Sequence, residues 1–483
     1  MSTAANPDRS SSVKPLGVGT LVNDLHSQLN PTVVDHVVAV RSTDDARTAI
    51  LAAASAGKVV CVAGGRHAMG GQQFATGGVL LDTRAYGGVR AFDGERGLIE
   101  VEAGIQWPEL IGWLVEHQTG AERAWGIRQK QTGADRLSMG GAVASNVHGR
   151  GLTMRPFVDD VESLTVIGAD GERRVANRGE NQELFRLVCG GYGLFGFVDT
   201  VTLRLEPRQK VRRAVEIETS DRLIGRFDER IADGYEFGDF QFALDPRSPD
   251  FLRRGIFSCY KPVPLDTPIP ENQRALSPEN WQRLLWLAHF DKQGAWDAYT
   301  AHYLGTHGQV YWSDTHQLST YIDDYHTWLD RESKADHPAT EIISELYVPR
   351  EALDDFLIET ADDFRAHDVD CIYGTIRLIE RDDESFLAWA KEPYACTIFN
   401  LHTRHTADGL TRSAAAFRRL IDIAARRGGS WFLTYHTFGT REQLLRCYPQ
   451  FPEFLRLKRQ YDPNERFQSE WYRHHVRLLD HGG

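Results

Sequence analysis

The residues best suited to chemistry in this sequence lie in a glycine-rich loop around one histidine, His67. Residues 59–63 are apolar and mostly β-branched, which is typical of a buried strand, and a second apolar run follows the loop at 79–81. Gly64 and Gly65 carry no side chain, so the backbone there can approach a large ligand and turn its N–H groups toward an anion. The pattern predicts an anion-binding loop with His67 beside the bound group. The alternative is a loop histidine bonded only to backbone groups.

A second glycine-rich segment occupies residues 135–151. It contains the pair Gly140 and Gly141, followed by His148 and Gly149. The spacing of these residues is weak evidence as a lone motif. The position of the segment downstream of the histidine loop strengthens the interpretation of both segments. We therefore expect the two segments to line one site.

A third segment, residues 191–196, fits the G-x-G-x-x-G expression of a Rossmann dinucleotide site. That motif requires a strand before it and a helix after it. Here residues 181–189 have the amphipathic pattern of a helix, and residues 197–205 alternate as a strand does. The reversed order argues against a nicotinamide-binding turn.

Together the three segments resemble the flavin-anchoring segments of the vanillyl-alcohol oxidase/p-cresol methylhydroxylase (PCMH) family. In that family a glycine-rich loop wraps the FAD, and its histidine is often bonded covalently to the flavin. The resemblance implies a PCMH-type FAD-binding domain, with FAD attached through His67. The cofactor-binding residues that it implies are Gly64, Gly65, Arg66, His67, Ala68, Met69, Gln72, Ser138, Gly140, Gly141, Ser145, Asn146, His148, Gly149, Gly196 and Val198.

The elements around these loops predict an α+β fold. Ser42 and Asp45 form a capping box for a helix that precedes the strand at 59–63, which completes a βαβ unit. We expect a flexible N-terminus (1–30), a FAD-binding domain of two α/β subdomains (31–208), an α+β substrate or cap domain (209–430) and a C-terminal segment that completes the flavin site (431–483).

The cap region resembles that of the sugar-lactone and alditol oxidases. Arg377 lies in a strand-like run, so its charge must find a partner or a cavity. A structural ion pair and a group that binds a substrate oxygen are the alternatives. After the strand predicted at 431–435, the family has a histidine facing the flavin, which His436 matches. Arg377 is thus the candidate charge stabiliser, and His436 and Tyr435 are the candidate bases.

The implied reaction is hydride transfer from a small organic substrate, most simply a CH–OH donor such as an alcohol, polyol or sugar, to FAD. A same-fold enzyme acting on C–N bonds or aromatic carbons, and a non-catalytic flavin-binding protein, are the alternatives. In the family the residue beside the second-segment histidine often governs oxygen access. That residue is Val147, so oxygen and another electron acceptor both stay open.

Composition limits the remaining possibilities. The chain has 55 basic and 67 acidic residues, and its net charge of −12 argues against a nucleic-acid partner. Six scattered cysteines predict free, mostly buried thiols in a reducing compartment. Without a signal peptide or a membrane-spanning run, we expect a cytoplasmic protein.

The pairs His402/His405 and His474/His475 lack recognised ligand spacing, so we interpret them as solvated and predict no metal. The oligomeric state is not predicted.

Overall fold

The computed structural model describes residues 19–319, 322 and 324–480 of the 483-residue chain. The architecture is mixed α and β. Among the described residues, no helix combines the length and apolar character needed to cross a membrane. The six cysteines are all free and buried, as predicted.

The strands, in chain order, are β1 (Thr20–Val22), β2 (Thr32–Val34), β3 (His36–Ala39), β4 (Val60–Ala63), β5 (Val79–Asp82), β6 (Val89–Asp93), β7 (Leu98–Glu102), β8 (Trp125–Gly126), β9 (Val161–Ile167), β10 (Arg173–Asn177), β11 (Phe197–Arg204), β12 (Glu206–Pro207), β13 (Lys210–Thr219), β14 (Phe237–Phe242), β15 (Arg254–Val263), β16 (Val310–Trp312), β17 (Ala339–Pro349), β18 (Cys371–Ile379), β19 (Tyr394–Arg404) and β20 (Ser430–Trp431).

The helices are α1 (Thr43–Ser55), α2 (Trp107–His117), α3 (Met139–Ser145), α4 (Gln182–Val188), α5 (Ser220–Ala232), α6 (Pro278–Phe290), α7 (Lys292–Leu304), α8 (Tyr325–Ser333), α9 (Leu353–Ala366), α10 (Ala407–Arg426), α11 (Arg441–Cys447), α12 (Phe451–Tyr461) and α13 (Glu470–Asp480).

The N-terminal part contains a parallel sheet in the order β3-β5-β4 and an antiparallel sheet in the order β10-β9-β11-β7-β6. Ser42 caps α1 by accepting a hydrogen bond from the Asp45 N–H, as predicted. All four residues of β5 are buried, which is typical of a parallel strand covered on both faces. The histidine loop leaves β4 at its carboxyl end, where open α/β sheets bind ligands. The order α4 then β11 around residues 191–196 confirms the reversed context of the G-x-G-x-x-G match.

The cap is a single antiparallel sheet of eight strands in the order β16-β13-β15-β14-β18-β19-β17-β20. Alternate residues of a strand face the same side of its sheet. Glu341, Ile343 and Glu345 therefore share one face of β17, where they lie opposite His402, Asn400 and Ile398 of β19. This register positions most of the chemistry described below.

The C-terminal segment returns to the N-terminal part. Val60 of β4 forms a parallel bridge with Phe467, and the Gln72 amide donates to the carbonyls of Leu433 and Thr434 at 3.0 and 2.8 Å. The strand predicted at 431–435 is shorter than expected: β20 ends at Trp431, and the chain then turns toward the histidine loop.

The ordered structure also begins earlier than predicted. Residues 1–18 of the predicted flexible N-terminus lie outside the described residues, but residues 19–30 belong to the fold. β1 pairs with β2, and the Asp24 carboxylate accepts hydrogen bonds from Ser27 and Asn30. This segment brings His26 to the histidine loop.

Candidate active site

A cavity of about 720 Å³ extends from the glycine-rich loops to the face of the cap sheet. Its volume is within the usual range for ligand pockets. The predicted site residues that line it are Gly64, Gly65, Arg66, His67, Ala68, Gln72, Ser138, Gly140, Gly141, Ser145, His148, Gly196, Val198, Arg377 and Tyr435.

The first wall of the cavity depends on glycines. A Cβ atom on Gly64 would lie 2.0 Å from Ser138 Oγ, and one on Gly65 would lie 2.0 Å from the Arg136 carbonyl oxygen. The histidine loop therefore packs directly against the second glycine-rich segment, with no room for side chains between them. This contact explains why the histidine loop requires glycine at positions 64 and 65.

The same loop offers unpaired donors. In the described part of the chain, the backbone N–H groups of Gly65, Arg66, His67 and Ala68 donate no hydrogen bond to other protein groups. Successive free N–H groups of this kind form an anion-binding concavity. The Arg66 guanidinium is held beside them by Asp82, at 3.1 Å.

His67 lines the cavity, and one of its ring nitrogens has no partner among the described residues. Its Nδ1 atom lies 2.7 Å from Nε2 of His26, whereas its own Nε2 is buried and makes no hydrogen bond within the described residues. Burial, together with the neighbouring His26, lowers the pKa of His67 to about 3. The imidazole is therefore neutral at physiological pH.

These features fit FAD. The free N–H groups suit a pyrophosphate, the glycine-lined wall lets a large planar group approach the backbone, and His67, with an unpaired Nε2, lines the cavity. When bound there, FAD would be held by the histidine loop and by residues 138–148.

The second wall carries a buried acid that the sequence analysis missed, Glu345 of β17. Its Oε1 atom contacts His148 Nε2 and accepts a hydrogen bond from Cys396 Sγ at 2.8 Å. His148 Nδ1 lies 2.9 Å from the Gly149 carbonyl oxygen, which can only accept, so Nδ1 carries a proton. Glu345 Oε1 therefore faces the ring nitrogen that does not bind the Gly149 carbonyl.

Opposing effects set the pKa of Glu345. Burial raises it, but His148, the Cys396 hydrogen bond and the Arg377 charge together lower it below its usual range. The carboxylate is consequently held ionised beside the cavity. A charged residue within an apolar strand was the signal in the sequence that could have identified it.

Arg377 of β18 lines the same cavity and is 4 % exposed. Its guanidinium donates to Thr132 Oγ1, and its Nε has no hydrogen-bond partner among the described residues. No carboxylate of those residues lies within 4.0 Å of it. The ion-pair alternative is therefore not realised, and a buried positive charge remains available to a ligand.

Tyr435 and His436 point to different places. Tyr435 lines the cavity, where burial and the charge of Glu345 raise its pKa well above the usual range, so it serves as a hydrogen-bond donor rather than a base. His436 does not line the cavity: its Nε2 contacts Ser344 Oγ at 3.0 Å, and its ring stacks on Phe417. The prediction of His436 as the base does not fit this placement, because β20 ends too early to direct it inward.

Three predicted cofactor residues also lie outside the cavity wall. Asn146 adopts a left-handed conformation at the end of α3 and donates to Asp382 at 2.9 Å. The Met69 carbonyl accepts from Asn30, and Gly149 N–H donates to Gln129 at 3.2 Å. These residues support the loops rather than face the ligand.

The cap end of the cavity is rich in hydroxyl, amide and charged groups. Arg150 comes from the second glycine-rich segment, and the others come from β13, β14, β15, β18, β19 and the segment 274–316. The polar residues lining this end include Arg150, Arg213, Asp239, Gln241, Tyr260, Arg274, Tyr299, His302, Tyr303, Thr306, Tyr311, His316, Tyr373 and Asn400.

The histidine pairs are less exposed than predicted. His402 faces Glu341, and His405 Nε2 lies 2.9 Å from Thr340 Oγ1. His475 is buried against Trp471, and burial lowers its pKa to about 3. The interpretation as solvated is wrong for His475, because it packs against Phe451 and Trp471, whereas His402, His405 and His474 are half-buried.

Comparisons with known proteins agree with this site. A family described as "FAD binding domain" matches residues 34–177, and one described as "D-arabinono-1,4-lactone oxidase" matches residues 335–475. Decaprenylphosphoryl-beta-D-ribose oxidase of Mycolicibacterium smegmatis is 24% identical over 459 residues, which cover 90% of this chain and 94% of that protein.

Two other relatives match smaller portions. An uncharacterized oxidoreductase of the fasciation locus of Rhodococcoides fascians is 29% identical over 44% of this chain and 52% of its own length. Cytokinin dehydrogenase 7 of Oryza sativa is 30% identical over 32% of this chain and 29% of its own length. The two family matches and the geometry of the loops lead to one conclusion. The chain belongs to the FAD-linked oxidoreductases of the vanillyl-alcohol oxidase/PCMH family and is an FAD-dependent oxidase or dehydrogenase.

Proposed function

We propose that this enzyme oxidises a CH–OH group of a small, hydroxyl-rich molecule such as a polyol or a sugar derivative. The single observation that carries the proposal is the continuous cavity. It joins the histidine loop to Glu345 and Arg377 and then to a cap end lined by hydroxyl and amide groups. Such groups suit a substrate with several hydroxyls, because each buried hydroxyl needs a partner.

The chain's own residues divide the work of this reaction. When bound, FAD supplies the hydride acceptor. Glu345, ionised beside the cavity, accepts the proton of the substrate hydroxyl, and the contact with His148 Nε2 holds the carboxylate in place. The Arg377 guanidinium stabilises the negative charge that develops on the hydroxyl oxygen, and Tyr435 donates a hydrogen bond from the opposite wall.

Anaerobic reduction tests the substrate class. The purified flavoprotein is mixed with alditols, sugars, simple alcohols and amines, and bleaching of the flavin absorbance is followed. Polyhydroxylated alcohols should bleach it fastest. Bleaching by amines alone would overturn the proposal in favour of C–N oxidation, the chemistry to which the name of the cytokinin dehydrogenases points. Failure of every compound to bleach a flavin that dithionite does reduce would also count against it.

We also propose that the FAD is attached covalently through Nε2 of His67. The support is that His67 lines the cavity as a neutral imidazole whose Nε2 has no partner among the described residues, whereas Nδ1 contacts His26. Flavin should therefore stay with the native polypeptide after acid precipitation. His67→Ala should release it, whereas His316→Ala, which removes a histidine from the cap end of the same cavity, should not. Release of all flavin from the native protein would contradict the covalent bond and leave FAD binding intact.

A further inference from the structure

A second cluster of titratable groups lies where β17 and β19 meet the helices of the cap. Glu341 Oε1 lies 2.8 Å from His289 Nε2 and 3.6 Å from His402 Nδ1, and Glu341 Oε2 lies 3.1 Å from His326 Nδ1. The four residues come from α6, α8, β17 and β19. Three imidazoles from three separate elements thus converge on one carboxylate.

The partners of the Glu341 carboxylate are unusual for a buried negative charge. Glu341 is 4 % exposed, and a buried carboxylate is costly without a compensating cation. Among the described residues, its ion-pair partners are all histidines, with no lysine or arginine within 4.0 Å. The positive charge that the carboxylate needs therefore has to come from a proton on an imidazole or from a bound cation.

The directions of the rings place two imidazole nitrogens where a cation could bind. His289 Nδ1 lies 2.8 Å from the Leu285 carbonyl oxygen, so Nδ1 holds the proton and leaves Nε2 as the atom that faces Glu341. Metal-ligating histidines are commonly oriented through their other nitrogen in this way. His402 Nδ1 is buried and makes no hydrogen bond within the described part of the chain.

Distances point the same way. The ligand atoms of His289, Glu341 and His402 all lie within 4.8 Å of one another. With metal–ligand bonds of about 2.1 Å, the atoms of a tetrahedral site are about 3.4 Å apart. Glu341 Oε1 lies 2.8 Å from His289 Nε2 and 3.6 Å from His402 Nδ1, on either side of that value.

We propose that His289, Glu341 and His402 form a three-residue binding site for Zn²⁺. Nitrogen and carboxylate donors of this kind are typical zinc ligands. The ion would tie α6 to the cap sheet beside the cavity, because Leu285 of α6 lines it. Its role is structural, and it is separate from the flavin end.

Metal analysis of the full-length flavoprotein, purified without a polyhistidine tag, tests the site. After treatment with Zn²⁺ and desalting, the protein should hold about one zinc per chain, and His289→Gln and His402→Gln should each lower that content at least ~10-fold. His367→Gln is the matched control, since His367 is an exposed histidine that also contacts a carboxylate, Asp363. Flavin content reports whether each variant has folded.

X-ray absorption at the zinc edge of the native protein provides a measurement that needs no variant. We expect a first shell of nitrogen and oxygen atoms with the scattering of two imidazoles. The proposal would be overturned if the native protein held no more zinc after desalting than an unrelated, flavin-free control protein treated in the same way. Zinc without imidazole ligands, or variants that keep as much zinc as His367→Gln, would also overturn it.

Discussion

Glu341 and Glu345 lie on the same face of one strand, about 13 Å apart, yet they have different surroundings. Glu341 is enclosed by three histidines and by Tyr325 at the cap end. Glu345 contacts His148 and Cys396 and lines the cavity close to the histidine loop.

The difference lies in what each carboxylate can reach. All the partners of Glu341 belong to the protein, so its charge is used to hold elements together or to bind an ion. Glu345 faces a space that a substrate can enter, next to the unpaired charge of Arg377. Two buried acids of one strand are thereby suited to stability in one case and to proton transfer in the other.

The largest expected effect separates the two acids directly. Glu345→Gln keeps the size of the side chain but removes the proton acceptor, so the rate of flavin reduction should fall ~10³-fold. Glu341→Gln should keep at least about a tenth of the native rate, because Glu341 has no access to the reacting groups. Stopped-flow reduction under anaerobic conditions measures both. Similar losses in the two variants would show that the comparison is wrong.

The next effect concerns the cation opposite Glu345. Arg377→Met should slow flavin reduction ~10²-fold, because the charge developing on the substrate oxygen loses its stabiliser. Arg377→Lys should recover part of the loss. Flavin binding should be unchanged in both variants. Equal rates of flavin reduction in Arg377→Met and the native protein would exclude a role for this guanidinium in the reaction.

Histidines extend the comparison to pH. The histidines around Glu341 face a carboxylate, whereas His436 and His475 do not. Burial lowers the pKa of His436 and that of His475 to about 3. Between about pH 6.5 and pH 3 the unfolded chain binds protons that the folded chain does not, so the free energy of unfolding falls as the pH falls. Each such histidine contributes up to about 1.4 kcal/mol per pH unit in that window.

His475→Phe tests this contribution. It keeps the aromatic contacts with Phe451 and Trp471 and removes the titrating group. Urea unfolding between pH 7 and pH 4.5 should show a shallower loss of stability than in the native protein. His117→Phe, at an exposed position, should leave the slope unchanged. Equal slopes for His475→Phe and the native protein would contradict neutral burial.

The smallest expected effect lies at the flavin end. Val147 is adjacent to His148 and lines the cavity, where its side chain restricts the space beside the flavin. Val147→Gly should speed the reaction of the reduced enzyme with oxygen about fivefold, which corresponds to lowering its activation free energy by about 1 kcal/mol. Val143→Ala, a buried position outside the cavity lining, is the control. A fast native reaction that Val147→Gly leaves unchanged would exclude Val147 as the gate.

The parts of the site found from sequence are those that depend on local backbone chemistry. Gly64 and Gly65 are required because no side chain fits between the histidine loop and the second glycine-rich segment, and that requirement is visible along the chain. Arg377 was found because a charge within an apolar strand needs an explanation.

The parts that were missed depend on register between distant strands. Glu345 meets His148 across 197 residues, and Glu341 meets His289 across 52. Neither pair has a characteristic spacing, since β17 acquires its neighbours only when the eight-stranded sheet forms. His436 was assigned to the cavity for the related reason that the length of β20, and so the direction of the residues after it, depends on tertiary packing.

The contact between Gln72 and the carbonyls of Leu433 and Thr434 also bears on how the enzyme is made. A ribosome completes the histidine loop early, but the residues that secure it, up to Phe467 beside β4, are synthesised some 400 residues later. Domains that close in this way cannot finish folding while the chain is still growing. Stable loading of the flavin must therefore follow synthesis of nearly the whole polypeptide, and the nascent chain must keep its first sheet soluble in the meantime.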